Sequence, residues 1–294
     1  MKRWRQAVSL PCLLIAALFA DPEIDFWAEY RALLQAGTQT WVWESARGPF
    51  LASAFNYKRV GYLGETPGLL SNQRARLASA PVPPMGDRAK AYWVNAYNFL
   101  TLCDVLERAP TDRVETTRSA FMIGGRLAPW SLDEIEGKAL RPMGDARIHL
   151  ALCRGAVGGP RVPREMLHST TIDRSLDALA RDAMANPHFV LPAAEGARVR
   201  LSSLFAWYGS DFAVDPWGSL AGFVGAFATN LPANSRLVAD LPWDGRLNTP
   251  ENVVARLERI ARENPALGLR RRAPPASEAP APERSLTPKP ETRP

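Results

Sequence analysis

Apolar residues between Asp25 and Gln35 recur at intervals of three and four, so Phe26, Trp27, Tyr30, Leu33 and Leu34 share a side and predict a helix. Leu69 to Ala80 reads as a second helix, ended by the Pro81-Val82-Pro83-Pro84 break. Asp87 is placed to cap a third, along which Tyr92, Ala96, Phe99, Cys103 and Leu106 form one face, with Cys103 read as core. Phe121 to Leu127, containing Gly124-Gly125, predicts a short hairpin, and Ser131-Leu132-Asp133-Glu134 fits a capping box that opens a helix. Arg147 to Cys153 alternates like a strand, with His149, Ala151 and Cys153 on one side and Ile148, Leu150 and Leu152 on the other. A turn follows at Gly155, Gly158, Gly159 and Pro160. Beyond it, Ile172, Leu176, Leu179 and Ala183 form the stripe of an amphipathic helix, and Ser202 caps a helix containing Phe205-Ala206-Trp207-Tyr208. Gly218 to Ala228 makes a further helix and Arg236 to Ala239 a last short strand. Lacking a regular strand-helix-strand rhythm, the pattern predicts the α+β class: a mainly helical single domain with a small antiparallel sheet.

The run Ala91-Tyr92-Trp93-Val94-Asn95-Ala96-Tyr97-Asn98 breaks the apolar pattern. Two carboxamides stand where aliphatic residues would pack more easily, and an unpartnered buried amide costs roughly 1–3 kcal/mol. Three residues apart on one helix, Asn95 and Asn98 are expected to meet polar groups from elsewhere in the fold, as structural clamps or as the wall of a site.

Composition refines this picture mainly at the two ends. With 294 residues, 46% hydrophobic and 22% charged, the middle of the chain can build a substantial core. The net charge of +6 comes from the termini: Lys2, Arg3 and Arg5 at the start, and from Arg270 onward six bases against three acids. The stretch between is neutral and has no basic helix interleaved with aromatics, so no nucleic-acid partner is expected. The basic start and the apolar run from Ala7 to Ala20, interrupted by Pro11, resemble a secretory signal peptide or an uncleaved anchor. The run is shorter than the roughly 20 residues of a comfortable span, and membrane contact is expected only through this segment if it is retained. These features predict a periplasmic or secreted protein, with residues 1–20 as leader, 21–269 as the globular part and 270–294 as a Pro-rich disordered tail. Export would leave Cys103 and Cys153 as the thiols of the mature chain, paired or buried.

Several segments together resemble one family, the domain of unknown function 547. They are a Trp-x-Asn-Ala-Tyr-Asn helix (Trp93 to Asn98), Ile135-Glu136 followed by Leu140-Arg141, and Arg147 to Leu152 as Arg-Ile-His-x-Ala-Leu. Trp207-Tyr208 with Asp211-Phe212, and Trp243-Asp244 with Leu247-Asn248, complete the set in the family's order. The resemblance runs from about Trp41 to Asn248 and implies the fold more than an activity. Where the family usually carries a Cys-Gly-x-x-Ser-Cys-Pro segment, this chain has Arg154-Gly155-Ala156-Val157-Gly158-Gly159-Pro160. Any disulfide, metal or nucleophile role of those cysteines is thereby lost, which implies a diverged or repurposed member.

Two functions are compatible with these residues. One is a noncatalytic cell-envelope binding or scaffold domain, with Asn95, Asn98, Glu136, Arg141, His149, Trp243 and Asp244 as a polar network or ligand groove, and an envelope peptide or glycan as partner. The other is a papain-like or transglutaminase-like acyl-transfer enzyme, suggested by the order of helix, His-bearing strand and later Asp or Asn. Its candidates are His149 with Cys153, or Ser202 as a substitute nucleophile. On a regular strand His149 and Cys153 would stand about 13 Å apart at about 3.3 Å per residue, too far for direct proton transfer. No cofactor is expected and no metal, because His149, His168 and His188 lack ligand spacing. His168 is read as a helix-start residue and His188 as a loop or strand-start residue. Gly124-Gly125 and Gly158-Gly159 match no phosphate loop. Trp207, Tyr208, Trp243 and Asp244 are either core aromatics with polar tips or a platform for a glycan or peptide.

Overall fold

The computed structural model describes residues 21–108, 119–125, 129–193, 198–231 and 234–272. The expected leader at 1–20 and residues 273–294 of the expected tail lie outside the described residues, while the first residues of that tail, Arg270 and Arg271, form a short strand paired with Trp43 and Glu44. No helix among the described residues is long and apolar enough to cross a membrane.

Asp21 opens α1 (Pro22–Phe26), its side chain accepting from the Glu23 and Ile24 amides. α2 (Ala28–Gly37) follows after Trp27. The single helix expected over 25–35 is thus two, because Trp27 leaves helical geometry at φ −100°, ψ 19° while its indole is buried. A hairpin the sequence reading missed comes next, β1 (Thr38–Ser45) and β2 (Gly48–Phe55), turning through Gly48 at φ +112°, a conformation that favours glycine. α3 (Tyr57–Gly61) and α4 (Thr66–Ser79) lead to the long α5 (Asp87–Glu107). Gly86, not Asp87, is the N-cap of α5; Asp87 sits in the first turn, where its charge faces the positive end of the helix dipole. Every residue from Ala91 to Val105 is buried, so α5 is the central post of the fold and not the one-faced helix its spacing predicts.

The hairpin expected at 121–127 is wider. β3 (Ala120–Phe121) pairs with β4 (Trp130–Ser131) across Gly124-Gly125. The capping box forms as expected: Ser131 Oγ accepts from the Glu134 amide at 3.1 Å, and the Glu134 carboxylate accepts from the Ser131 amide at 3.0 Å. It opens α6 (Leu132–Glu134), which runs into a π-helix at Ile135–Leu140 and a 3-10 turn at Arg141–Met143.

The strand expected over Arg147 to Cys153 is instead a 3-10 helix, Ala146–Leu150, begun by Asp145, whose side chain accepts from the Arg147 amide. Residues 148–153 are all buried, so the alternation of residue types there reports no wet and dry face, and the strand reading loses its basis.

His168 caps the 3-10 turn Ser169–Thr171, which leads into α7 (Ile172–Ala185) with its expected stripe buried. β5 (Val190–Pro192), β6 (Arg198–Ser202), α8 (Ser203–Trp207, capped by Ser202), α9 (Leu220–Phe227, capped by Ser219) and β7 (Arg236–Leu241) build the next layer. α10 (Pro250–Glu263) and β8 (Arg270–Arg271) end the described chain. The class is α+β as expected, but the strands are dispersed: β2-β1-β8, β3-β4 and β5-β6-β7, antiparallel except for the parallel β6–β7 pair.

Three apolar clusters fill the interior: one around α5, one under β5-β6-β7 with Phe205, Phe212 and Phe223, and one between the first hairpin and α10. Arg47, buried at the hairpin tip, ties the layers together. It donates to the carbonyls of Met184 and Val190 (2.7 Å to the latter), the first of them at the C-terminal end of α7, where the helix dipole favours a cation.

Candidate functional site

Glu136 projects from the π-helix, His149 from the 3-10 helix and Asp211 from the turn after α8. These separate elements bring alternating charges into one row. Arg154 grips Glu136 with two bonds, Nη2 to Oε1 at 2.6 Å and Nη1 to Oε2 at 3.1 Å. Glu136 Oε1 then faces His149 Nδ1 at 3.2 Å, and His149 Nε2 faces Asp211 Oδ2 at 2.9 Å. Arg141 closes the row on Asp211, donating from Nε at 2.7 Å and Nη2 at 2.8 Å. The two forked arginine-carboxylate contacts are the strong, directional kind.

Both ring nitrogens of His149 lie within hydrogen-bond distance of carboxylate oxygens, one from each side of the ring. The Tyr208 ring lies over the imidazole at 3.9 Å and 20°, and both arginines approach the same tyrosine ring, Arg154 at 5.2 Å and Arg141 at 5.6 Å.

His149, in the middle of the row, is fully buried, and exposure rises from it through Asp211 to Arg141, which is 40% exposed. Burial alone would raise the Glu136 carboxyl, but the His149 hydrogen bond and the Arg154 charge and bonds outweigh it and bring it down to about 2. The Arg141 bond, against partial burial and with help from His149, holds Asp211 well below the usual carboxylate range. Glu136 and Arg141 are not partners of each other; each belongs to the row through a different neighbour, Arg154 and Asp211.

Asn95 and Asn98 do not join this row. The Asn95 carboxamide brackets one backbone residue, donating to the Leu167 carbonyl at 2.7 Å and accepting from the Leu167 amide at 2.9 Å. Asn98 donates to the Ala151 carbonyl at 3.0 Å and accepts from the Cys153 amide at 2.6 Å. Both side chains are buried and use donor and acceptor alike, so they clamp two irregular segments onto α5.

The pairing of His149 with Cys153 also fails, although not for the strand spacing first supposed. The Cys153 sulfur is buried and receives the Asn248 carboxamide at 3.6 Å, while Asn248 Oδ1 accepts from the Tyr57 hydroxyl at 2.8 Å. Burial pushes the Cys153 thiol up, away from the thiolate that nucleophilic attack needs. Cys103 and Cys153 are both free and buried. Ser202 is occupied in capping α8.

Trp243 and Asp244 stand apart from the row. Trp243 packs on Trp207 at 5.0 Å between rings, with Trp207 54% exposed, and Asp244 accepts from Arg246 at 2.7 Å. Gly158 makes this packing possible, since a Cβ there would lie 2.8 Å from the Trp243 ring. Among the described residues no three His, Cys, Asp or Glu side chains are grouped to hold a metal ion.

Sequence reasoning missed Arg154, Tyr208 and Asp211 as members of the site. Tyr208 and Asp211 carried a signal, three apart at a helix end, whereas Arg154 stands alone before a glycine turn and carried none.

Fold and site together define a mixed α+β domain with a buried histidine-carboxylate row on irregular helices. Residues 85–182 match the model of the family described as "Protein of unknown function, DUF547", so the resemblance read from the motifs holds over a third of the chain. That stretch supplies Asn95, Asn98, Glu136, Arg141, His149 and Arg154, while Tyr208 and Asp211 lie outside it. No curated protein and no solved structure gives a significant match.

Proposed function

We propose that this chain is a noncatalytic binding or scaffold domain of the cell envelope, in which the His149 row and the two asparagine clamps are structural. One observation carries the reading: both nitrogens of His149 lie against carboxylates of the chain, so neither is turned toward a candidate nucleophile. The buried thiol of Cys153, bonded to Asn248, supports it. The acyl-transfer alternative needs a base and nucleophile in reach of each other, and the candidates named for it have other partners.

The basic, apolar start of the chain supports export to the periplasm or beyond. An envelope peptide or glycan is the partner class this location implies.

Two measurements on the full-length chain test the proposal. In the first, purified peptidoglycan sacculi are sedimented with the protein; retention in the pellet above a non-envelope control is expected, and its absence overturns the envelope-binding reading. In the second, chromogenic acyl esters and peptide amides are offered, and no release above buffer is expected. Release that disappears in Cys153→Ala or His149→Gln would restore the enzyme reading.

A further inference from the structure

A cavity of ≈ 40 Å³ lies away from the His149 row, between β2, the turn at 156–161, α7 and α10. Its wall is largely aliphatic, with Ala52, Val157, Leu179, Val253 and Leu257. The polar groups that reach it are mostly satisfied. Asp182 accepts from the Leu51 amide at 3.1 Å and from Arg161 at 3.0 Å, Asn248 from the Tyr57 hydroxyl, and Asn186 from the His188 amide at 2.9 Å.

Arg256 differs from all of these. It is half-buried on α10, its Nε donates to His188 Nδ1 at a long 3.4 Å, and among the described residues no carboxylate lies within 4.0 Å of it. The neighbouring guanidiniums all have acidic partners: Arg161 with Asp182, Arg246 with Asp244, and Arg259 with Glu263 at 3.9 Å. His188 brings no compensating charge, since burial and the nearby Arg256 cation push it down to about 4 and leave it neutral at pH 7. One positive charge therefore faces a largely aliphatic cavity with no described carboxylate in ion-pair range, Asp244 and Glu263 acting on it only from farther off.

We propose that this cavity binds a small monocarboxylate, its oxygens held by the Arg256 fork and its carbon end against the aliphatic wall. Size and donor count both favour this class. At roughly 10–15 Å³ per water the space holds about three waters, close to the head of a short acid. A single planar fork matches a carboxylate bidentately, whereas a dianionic phosphate would find one uncompensated charge and apolar walls. The carboxylate comes either from a free short acid or from the C-terminus of a peptide. The proposal deepens the binding-domain reading and rests on it.

The test titrates the full-length chain with acetate, N-acetyl-Ala-Ala, the amide of that dipeptide and inorganic phosphate, following the His188 imidazole resonance by NMR. A saturable shift with acetate alone supports a free acid; one with the dipeptide, tighter than with acetate, supports a peptide terminus. Arg256→Gln weakens the response at least about tenfold, as loss of a charge-assisted hydrogen bond implies. Arg256→Lys, which keeps the charge and loses the fork, falls between.

No saturable shift with either acid, equal binding of the amide or of phosphate, or undiminished binding by Arg256→Gln overturns the site. The amide and phosphate controls on the unaltered chain decide the matter even if a variant does not fold. Sacculus retention without carboxylate binding would sink this site alone, and carboxylate binding without retention would sink the envelope reading alone.

Discussion

Replacing Glu136 by glutamine keeps the shape of the side chain but removes the negative charge between Arg154 and His149, neither of which has room to hydrate fully in the folded chain. Breaking a buried ion pair from one side costs about 3–5 kcal/mol, because the remaining charge is left without its partner. The titration of Glu136 gives an independent figure. Held from 4.5 down to about 2, against the effect of burial, its carboxylate is favoured by about 3 kcal/mol. The folded-state value lies below the unfolded one, so this stabilisation is complete above pH 4.5 and is lost as the pH falls toward 2. Urea unfolding of the two proteins, followed by tryptophan fluorescence, should show Glu136→Gln less stable by about 3–5 kcal/mol at pH 7. The gap should close steadily as the pH is taken from 4.5 toward 2, while Asp211, still held low by Arg141, leaves some acid sensitivity in both proteins. A gap under about 1 kcal/mol at neutral pH, the ordinary value of a surface pair, or one that persists undiminished through the acid window, would refute the buried row.

The clamps predict that Asn95→Ala and Asn98→Ala each lower stability by about 1–3 kcal/mol in the same assay, since each leaves buried backbone groups unbonded; an unchanged midpoint would show those groups satisfied otherwise. Gly158→Ala should cost about 1–3 kcal/mol by forcing a methyl group against Trp243, with a changed Trp243 fluorescence environment, and a neutral effect would mean the turn yields freely. By NMR the His188 imidazole should stay neutral until about pH 4, and a midpoint near 6.5 would place it in solvent. Its depressed value makes it another acid-sensitive group: the stability it contributes is present above pH 6.5 and is lost as pH falls through about 4.

What the sequence disclosed follows from which patterns report burial directly. Two carboxamides inside an apolar helix announced that they need partners, and both have them; the partners themselves, backbone groups of Leu167, Ala151 and Cys153 more than 50 residues away, left no local trace. Capping residues were legible at Ser131, Ser202 and His168 because their bonds are local, whereas Asp87 falls one residue inside its helix, behind Gly86.

The segment from Arg147 to Cys153 misled because alternation indicates a strand only where one face is wet, and here every position from Ile148 onward is buried. α10 was readable in principle: Thr249-Pro250 is a helix-start signal, followed by Val253, Leu257 and Ile260 on one stripe. Arg154 had no such signal, because only the tertiary fold carries a lone arginine before a glycine turn to Glu136.

The central claim is that Cys153 and His149 belong to the framework and do no chemistry together. It is tested most directly by the rate at which iodoacetamide labels Cys153 in the folded chain, resolved by mass spectrometry of the peptide that carries it. The account predicts labelling no faster than global unfolding, and unaffected by His149→Gln beyond that variant's loss of stability. Rapid labelling of the native protein, slowed when His149 is replaced, would reveal an activated thiol and contradict it.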